Sequence, residues 1–231
     1  GVESVTIFSA LDVNVALVEA RPGFLEFIDD ELIEDFTHQL RDRGMALRFG
    51  CKVARVEFEN DWPVTVLENG RRLRSEMLLY TAGRVGATDA LNLPACGLPA
   101  DSRGRLKVDP HTFQTEVPHI YAAGDVIGFP SLASTSMEQG RIAACHAFNM
   151  PMPPAPEFFP YGIYSVPEIS TVGMSEQEVR KRDIPYECGV ARFRETSRGH
   201  IMGLSTGLLK MLFALDTRRL LGVHIVGEGA T

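Results

Sequence analysis

The chain has 231 residues, 45% apolar and 23% charged, with a formal net charge of −7. That is the make-up of a globular protein with ample material for a core and room for two domains. The negative balance speaks against a nucleic-acid or anionic-membrane surface. No apolar run approaches a membrane span and no signal peptide opens the chain, so a cytoplasmic location is expected.

The first helical pattern is Val2, Val5, Ile7, Phe8 and Leu11. It leads into an apolar strand over residues 13–18 that ends in Glu19. A helix followed by a strand ending in an acid is the latter part of a βαβ dinucleotide-binding unit, where the acid reaches the adenosine ribose hydroxyls. The glycine-rich turn belongs just before such a helix. Gly1 is therefore the expected last glycine of a GxGxxG whose front part the chain lacks, and the chain reads as a fragment. Read alone, Glu19 is more often a solvated strand-end acid; with Gly1, Glu3 and the helix in register before it, the ribose role is favoured. Arg21 is a candidate partner for a 2′-phosphate if NADP binds, with an exposed loop arginine as the alternative.

Asp29 and Asp30 are expected to cap a helix with apolar positions Leu32, Ile33, Phe36 and Leu40, closed by Gly44. Residues 45–49, 52–59, 64–67 and 71–74 read as strands, with Asn69-Gly70 turning between the last two. The basic cluster at Arg71, Arg72 and Arg74 then becomes a solvated hairpin arm. Residues 77–80 read as a buried strand running into Thr81-Ala82-Gly83-Arg84. Asp101-Ser102-Arg103-Gly104 turns into residues 106–108.

Residues 120–123 make an apolar run of strand length that stops at Gly124-Asp125. After a loop with Gly128 and Pro130, Ser131 precedes a helical pattern at Leu132, Ala133, Met137, Ile142 and Ala143. Strand, acidic turn and helix place a carboxylate and a free helix N-terminus where α/β sheets bind ligands. On spacing alone, a turn that merely satisfies backbone groups remains the alternative.

Beyond a proline-rich linker at residues 150–156, strand-like runs at 163–172, 186–193, 208–213 and 220–226 surround one short helix at 175–182. That order suggests an antiparallel sheet with its helix packed on one face. The four cysteines at 51, 96, 145 and 188 form no CxxC pair and read as buried inert thiols; neither they nor the six histidines have metal-ligand spacing, so no metal is expected.

The wording is more specific than the spacing. YAAGDV, SLAS and EQGRIAA resemble the second flavin-binding segment of the two-dinucleotide-binding flavoproteins, the pyridine nucleotide-disulfide oxidoreductase family of glutathione reductase and dihydrolipoamide dehydrogenase. The resemblance implies that Asp125, with Gly124 before it, binds the ribityl and pyrophosphate region of FAD. It also implies that the backbone around Leu132 and Ala133 faces the pyrimidine edge of the flavin. Glu3 stands two residues after Gly1, as the family usually has it, and Gly83-Arg84 matches the family's crossover motif back to the flavin domain, where the glycine lets backbone approach the bound nucleotide. The resemblance thus implies that Gly1, Glu3, Gly83 and Arg84 belong to the cofactor-binding residues. DSRGRLKVD, FQT and YGIYSVPEISTVG are similar to the transhydrogenases of that family.

The fold implied is α/β: partial Rossmann-like NAD(P)- and FAD-binding domains at 1–90 and 91–155, then an α+β antiparallel-sheet dimerisation domain at 156–231. The implied activity is hydride transfer between NADPH and NAD⁺ through FAD in a homodimer or higher homo-oligomer, with no catalytic side chain of its own in this chain and the fragment alone inactive. Alternatives are a dihydrolipoamide dehydrogenase or related disulfide reductase and, from another class, a nucleotide-binding or dimerising module without catalysis.

Overall fold

Two units make up the structure, a computed structural model that describes residues 1–151 and 156–231. Gly1–Thr81 joins Gly162–Thr231 in one unit, and Ala82–Tyr161 forms the other. The linker expected at 150–156 lies partly outside the described residues.

In the first unit, helix α1 (Val2–Ala10) precedes strand β1 (Ala16–Val18), which pairs in parallel with β2 (Ala46–Arg48). Between them runs α2 (Asp30–Asp42). Its start follows from sequence: the Asp29 carboxylate accepts from the Glu31 N–H, and Asp30 and Glu31 place negative charge at the positive end of the helix dipole. Leu32, Phe36 and Leu40, spaced four residues apart, are all 0% exposed. Each such side chain contributes about 1.5–3 kcal/mol on burial. Phe24 meets Phe36 edge-on at 5.7 Å between ring centroids.

An antiparallel sheet follows in the order β3 (Val53–Glu59), β4 (Trp62–Leu67), β5 (Arg72–Arg74). The register pairs Glu59 with Trp62, leaving Asn60 and Asp61 as a two-residue turn, both at positive φ. The second turn is the expected one, with the Arg71 N–H donating to the Asn69 side chain. The basic arm is partly neutralised: Arg72 reaches across the sheet to Glu57 at 3.0 Å, and Arg74 lies 4.6 Å over the Trp62 ring.

The expected buried strand at 77–80 does not form. Those residues carry no strand assignment, and Met77 and Tyr80 are 78% and 82% exposed. An apolar run becomes a strand only where a neighbour completes its backbone hydrogen bonds, and among the described residues the parallel sheet consists of β1 and β2.

The remainder of this unit is a five-stranded antiparallel sheet ordered β6 (Tyr161–Ile163), β7 (Glu168–Gly173), β10 (Leu220–Gly227), β9 (Leu208–Ala214), β8 (Tyr186–Arg192). The single strand expected over 163–172 is thus two strands, interrupted around Pro167, whose missing N–H breaks a ladder. Ser175 caps α4 (Glu176–Lys181), whose Val179 is buried, as are Ile169, Leu208, Leu212 and Val226 on the strands. A second short helix, α5 (Ser197–Met202), was absent from the sequence pattern; Thr196 caps it by accepting from the Gly199 N–H.

Helix α2 lies against this sheet, and the join is ionic. Lys210, on β9, is 1% exposed, and its ammonium reaches Asp29 at 2.9 Å, Glu31 at 3.1 Å and Glu176. Burial works against that charge, but hydrogen bonds to Glu176, Asp29 and Glu31 more than offset it and raise the lysine above its ordinary value. His224, paired in register with Lys210, is 1% exposed and bonds to Thr171 and to the Met174 carbonyl.

Among the described residues, the second unit holds one α-helix, α3 (Ala133–Ala147), short 3-10 turns at Asp89–Leu91, Leu93–Cys96 and Gly124–Ile127, and otherwise irregular chain. The strand expected at 120–123 is reduced to an isolated bridge between Gln114 and Tyr121, flanked by Thr115 N–H to Ile120 and Ala122 N–H to Phe113 bonds. The crossover Gly83–Gly86 is pinned to the Asp101–Arg105 turn. A β-carbon on Gly86 would lie 2.0 Å from the Gly104 carbonyl oxygen, so only glycine fits.

Candidate functional site

The sequence-derived residues fall into two groups, one in each unit. In the first, α1 begins close to the end of the 77–81 segment: a β-carbon on Gly1 would stand 2.6 Å from the Thr81 hydroxyl. Such closeness is what the last glycine of a dinucleotide turn provides. Glu3, two residues on, turns its carboxylate to the Tyr164 N–H at 2.9 Å. Here Glu3 ties helix α1 to the loop between β6 and β7, as Thr6 does by accepting from the Val166 N–H at 3.0 Å.

Glu19 follows β1 directly, and its N–H continues the ladder to Arg48. Arg21 grips it in a fork, Nε to Oε1 at 3.1 Å and Nη2 to Oε2 at 2.9 Å, while the Arg21 backbone N–H gives a third bond to Oε1 at 3.0 Å. These bonds, the side-chain pair foremost, hold the Glu19 carboxyl below its ordinary value. The two residues that the sequence treats separately are one ion pair.

In the second unit, Gly124 adopts φ 82°, the left-handed region that glycine enters without strain. Its N–H donates 2.7 Å to the buried Gln139 side chain of α3, which locks the turn to the helix. Asp125 comes next, with a side chain 44% exposed, and Arg84 from the crossover reaches it at 2.9 Å. Gly83 and Arg84 are thereby brought beside Gly124 and Asp125, which their separation in sequence does not disclose.

Leu132, and not Ser131, is the N-cap of α3, and no side chain caps the helix. Ser131 instead donates to the Gly128 carbonyl at 3.0 Å. The N–H groups of Ala133 and its neighbours are left at a positive dipole end without a side-chain acceptor. On the same first turn, Thr135 is 2% exposed and its hydroxyl has no partner among the described residues. A buried hydroxyl without a partner costs roughly 1–3 kcal/mol, so this turn suits an electron-rich group that would accept from it. These features fit FAD: a carboxylate for hydroxyls, a helix end for the electron-rich edge and an unsatisfied donor between. Thr135 and Gln139 were missed by the sequence reading. Their spacing after Gly124 was the available signal, but a threonine and a glutamine inside a helix carry no chemistry by type.

The thiols are not all buried: Cys96 and Cys188 are exposed, and Cys51 and Cys145 are partly covered. Cys188 lies on β8, an edge strand of its sheet, and Cys96 in a short 3-10 turn, so neither is enclosed. Carboxylate oxygens of Asp29, Glu31 and Glu176 lie within 4.8 Å of one another, and the Lys210 ammonium stands among them.

A parallel strand pair with an acid at its end, a Gly-Asp turn before an open helix N-terminus and a separate antiparallel sheet define a dinucleotide-binding α/β protein with an interface domain. Comparison with known families agrees. The profile for "pyridine nucleotide-disulphide oxidoreductase" matches residues 1–140, and that for its dimerisation domain matches residues 159–231. The chain belongs to the pyridine nucleotide-disulphide oxidoreductase family.

Among curated relatives, the soluble pyridine nucleotide transhydrogenase of Mycobacterium bovis (strain BCG / Pasteur 1173P2) is 50% identical over 231 residues, all of this chain and 49% of the relative. That of Enterobacter sp. (strain 638) is 43% identical over 239 positions, again 49% of its length. The chain spans about half the length of the curated relatives it matches. Among solved structures, LpdA from Mycobacterium tuberculosis superposes with a TM-score of 0.91 at 25% identity, covering 99% of this chain and 50% of that one. The HOCl-induced flavoprotein disulfide reductase RclA from Escherichia coli gives 0.89 at 25% identity, over 99% of this chain and 53% of that one. Among the described residues no helix is long and apolar enough to cross a membrane.

Proposed function

We propose that the chain serves an FAD-dependent pyridine nucleotide transhydrogenase, NADPH + NAD⁺ ⇌ NADP⁺ + NADH, acting in the cytoplasm as a homodimer. The observation that carries this reading is the 50% identity, along the entire chain, to relatives named for that activity. We divide the chain into an NAD(P)-binding part at 1–90, a flavin-binding part at 91–155 and an interface part at 156–231.

Bound FAD would supply the two-electron centre. The residues of this chain bind and orient. Asp125 accepts from flavin hydroxyls, held in place by the Gly124–Gln139 bond. Arg84 offsets the charge of Asp125 and lies on the segment that carries Gly83. The open N-terminus of α3, at Leu132 and Ala133, directs N–H groups and a positive dipole end to electron-rich atoms. Gly1 gives close approach to the pyrophosphate, Glu19 accepts from the adenosine ribose, and Arg21 stands beside it. Glu3 acts indirectly, by fixing α1 against the loop between β6 and β7.

A disulfide reductase is the competing reading, favoured by the structural likeness to RclA, which is named as one. The two are separated by assaying the full-length, flavin-loaded enzyme to which this chain is assigned with NADPH and a thio-analogue of NAD⁺, and in parallel with dihydrolipoamide. Nucleotide exchange is expected; brisk lipoamide turnover without exchange would sink the proposal.

A further inference from the structure

Resting on the reading of the β1 end as the adenosine-ribose site, we propose that Glu19 and Arg21 act as a single charge-compensated element that admits both NAD(H) and NADP(H). An unpaired strand-end carboxylate favours the ribose diol and repels a 2′-phosphate. An unpaired arginine does the reverse. Here neither is unpaired.

The donor and acceptor count defines what remains available. A carboxylate offers about four lone-pair sites. The three bonds from Arg21 fall twice on Oε1 and once on Oε2, and the Ala20 N–H also acts on the carboxylate, so Oε2 is the oxygen that Arg21 engages less and the one offered to a ribose hydroxyl. A guanidinium has five N–H donors, of which the pair uses two, so the outer edge of Arg21 stays free for a phosphate. That edge is accessible, because the Arg21 side chain is 56% exposed against 23% for Glu19. The pair is fixed at its base: the Arg21 carbonyl accepts from the Gly50 N–H, and the Glu19 carbonyl from the Cys51 N–H. Either nucleotide can therefore bind without breaking the pair. The diol is read by Glu19, the 2′-phosphate by Arg21, and each residue masks the charge that would reject the other's ligand.

Compensation predicts coupling, which independent contacts do not. The dissociation constants of NADH and NADPH are measured by nucleotide fluorescence for the protein, Glu19→Gln, Arg21→Gln and the double variant. Both side chains are at the surface, so the variants are expected to fold. Glu26 also acts electrostatically on Arg21, but it is the same in all four proteins and cancels. Glu19→Gln should weaken NADH about tenfold and leave NADPH no weaker. Arg21→Gln should weaken NADPH at least tenfold more when Glu19 is present than in the Glu19→Gln background, since only then is a bare carboxylate exposed. If the two substitutions act independently within threefold, the ribose site stands and the compensation is refuted. If no variant changes either constant by more than threefold, the ribose assignment itself falls.

Discussion

In the proposed flavin site, Asp125 has to be accessible to its ligand and rigid enough to hold it in one pose. Both needs are met locally: a left-handed glycine before it, a buried glutamine holding that glycine, and a carboxylate left about half exposed. In that role, each charge-assisted hydrogen bond to a flavin hydroxyl would be worth about 1.5–3 kcal/mol. Asp125→Ala in the flavin-loaded protein should therefore weaken FAD at least ~tenfold. Flavin absorbance retained after dialysis checks this, and unchanged occupancy would reduce Asp125 to a turn former. Arg84 limits the effect, since in the variant it loses its partner and becomes an exposed cation free to meet the pyrophosphate.

At the scale of elements, α2 is the piece whose two roles conflict. It must follow the loop of Glu19 and Arg21, proposed above to read the nucleotide, and also sit on the five-stranded antiparallel sheet. The conflict is resolved by Asp29, which caps α2, accepts from the Glu176 N–H at 2.9 Å and receives the Lys210 ammonium. Removing one partner of a buried ionic group leaves the others uncompensated, at a cost of about 3–5 kcal/mol. Lys210→Met, though close in shape, should lose stability on that scale in urea unfolding. Adding Glu176→Gln should recover part of it, because one bare carboxylate is then gone. A loss below ~1 kcal/mol would mean that water already solvates the cluster.

For the molecule as a whole, these buried groups define an acid limb. Burial lowers the pKa of His224 beneath its ordinary value, and the backbone bond to Met174, the charge of Asp29 and that of Lys210 modify this. Glu176 is brought down to about 2, first by its hydrogen bond from Lys210 and then by that from Tyr186. Both groups have folded-state values below their unfolded ones, so the unfolded chain binds more protons and stability falls as pH falls. Urea midpoints should begin to decline below about 6.5 as His224 is drawn to protonate, then drop further between about 4.5 and about 2 as Glu176 does. In Lys210→Met the lower step should shrink, since the bond that depresses Glu176 is gone. A flat profile down to pH ~4 would show that His224 is not kept neutral by the fold.

Local physics was enough for much of this protein. Helix α2 was legible from Asp29 to Gly44 because capping, dipole and the Leu32–Phe36–Leu40 stripe all act within a few turns. The Asn69-Gly70 hairpin and the Gly124-Asp125 turn were legible because a left-handed backbone needs particular residues. The wording around Asp125 carried the family. Residues 77–80 and 120–123 misled for one reason: an apolar run specifies burial, while a strand requires a partner's hydrogen bonds, and those come from elsewhere in the chain. Lys210 was invisible because lysine in a strand reads as exposed, until residues 29, 31 and 176 are brought around it. The pairing of Arg84 with Asp125, and the unanswered hydroxyl of Thr135, likewise exist only once distant segments meet. Sequence determined which groups are present and which turns they favour; the tertiary structure alone decided which charges face each other, because that energy depends on distance through space and not along the chain.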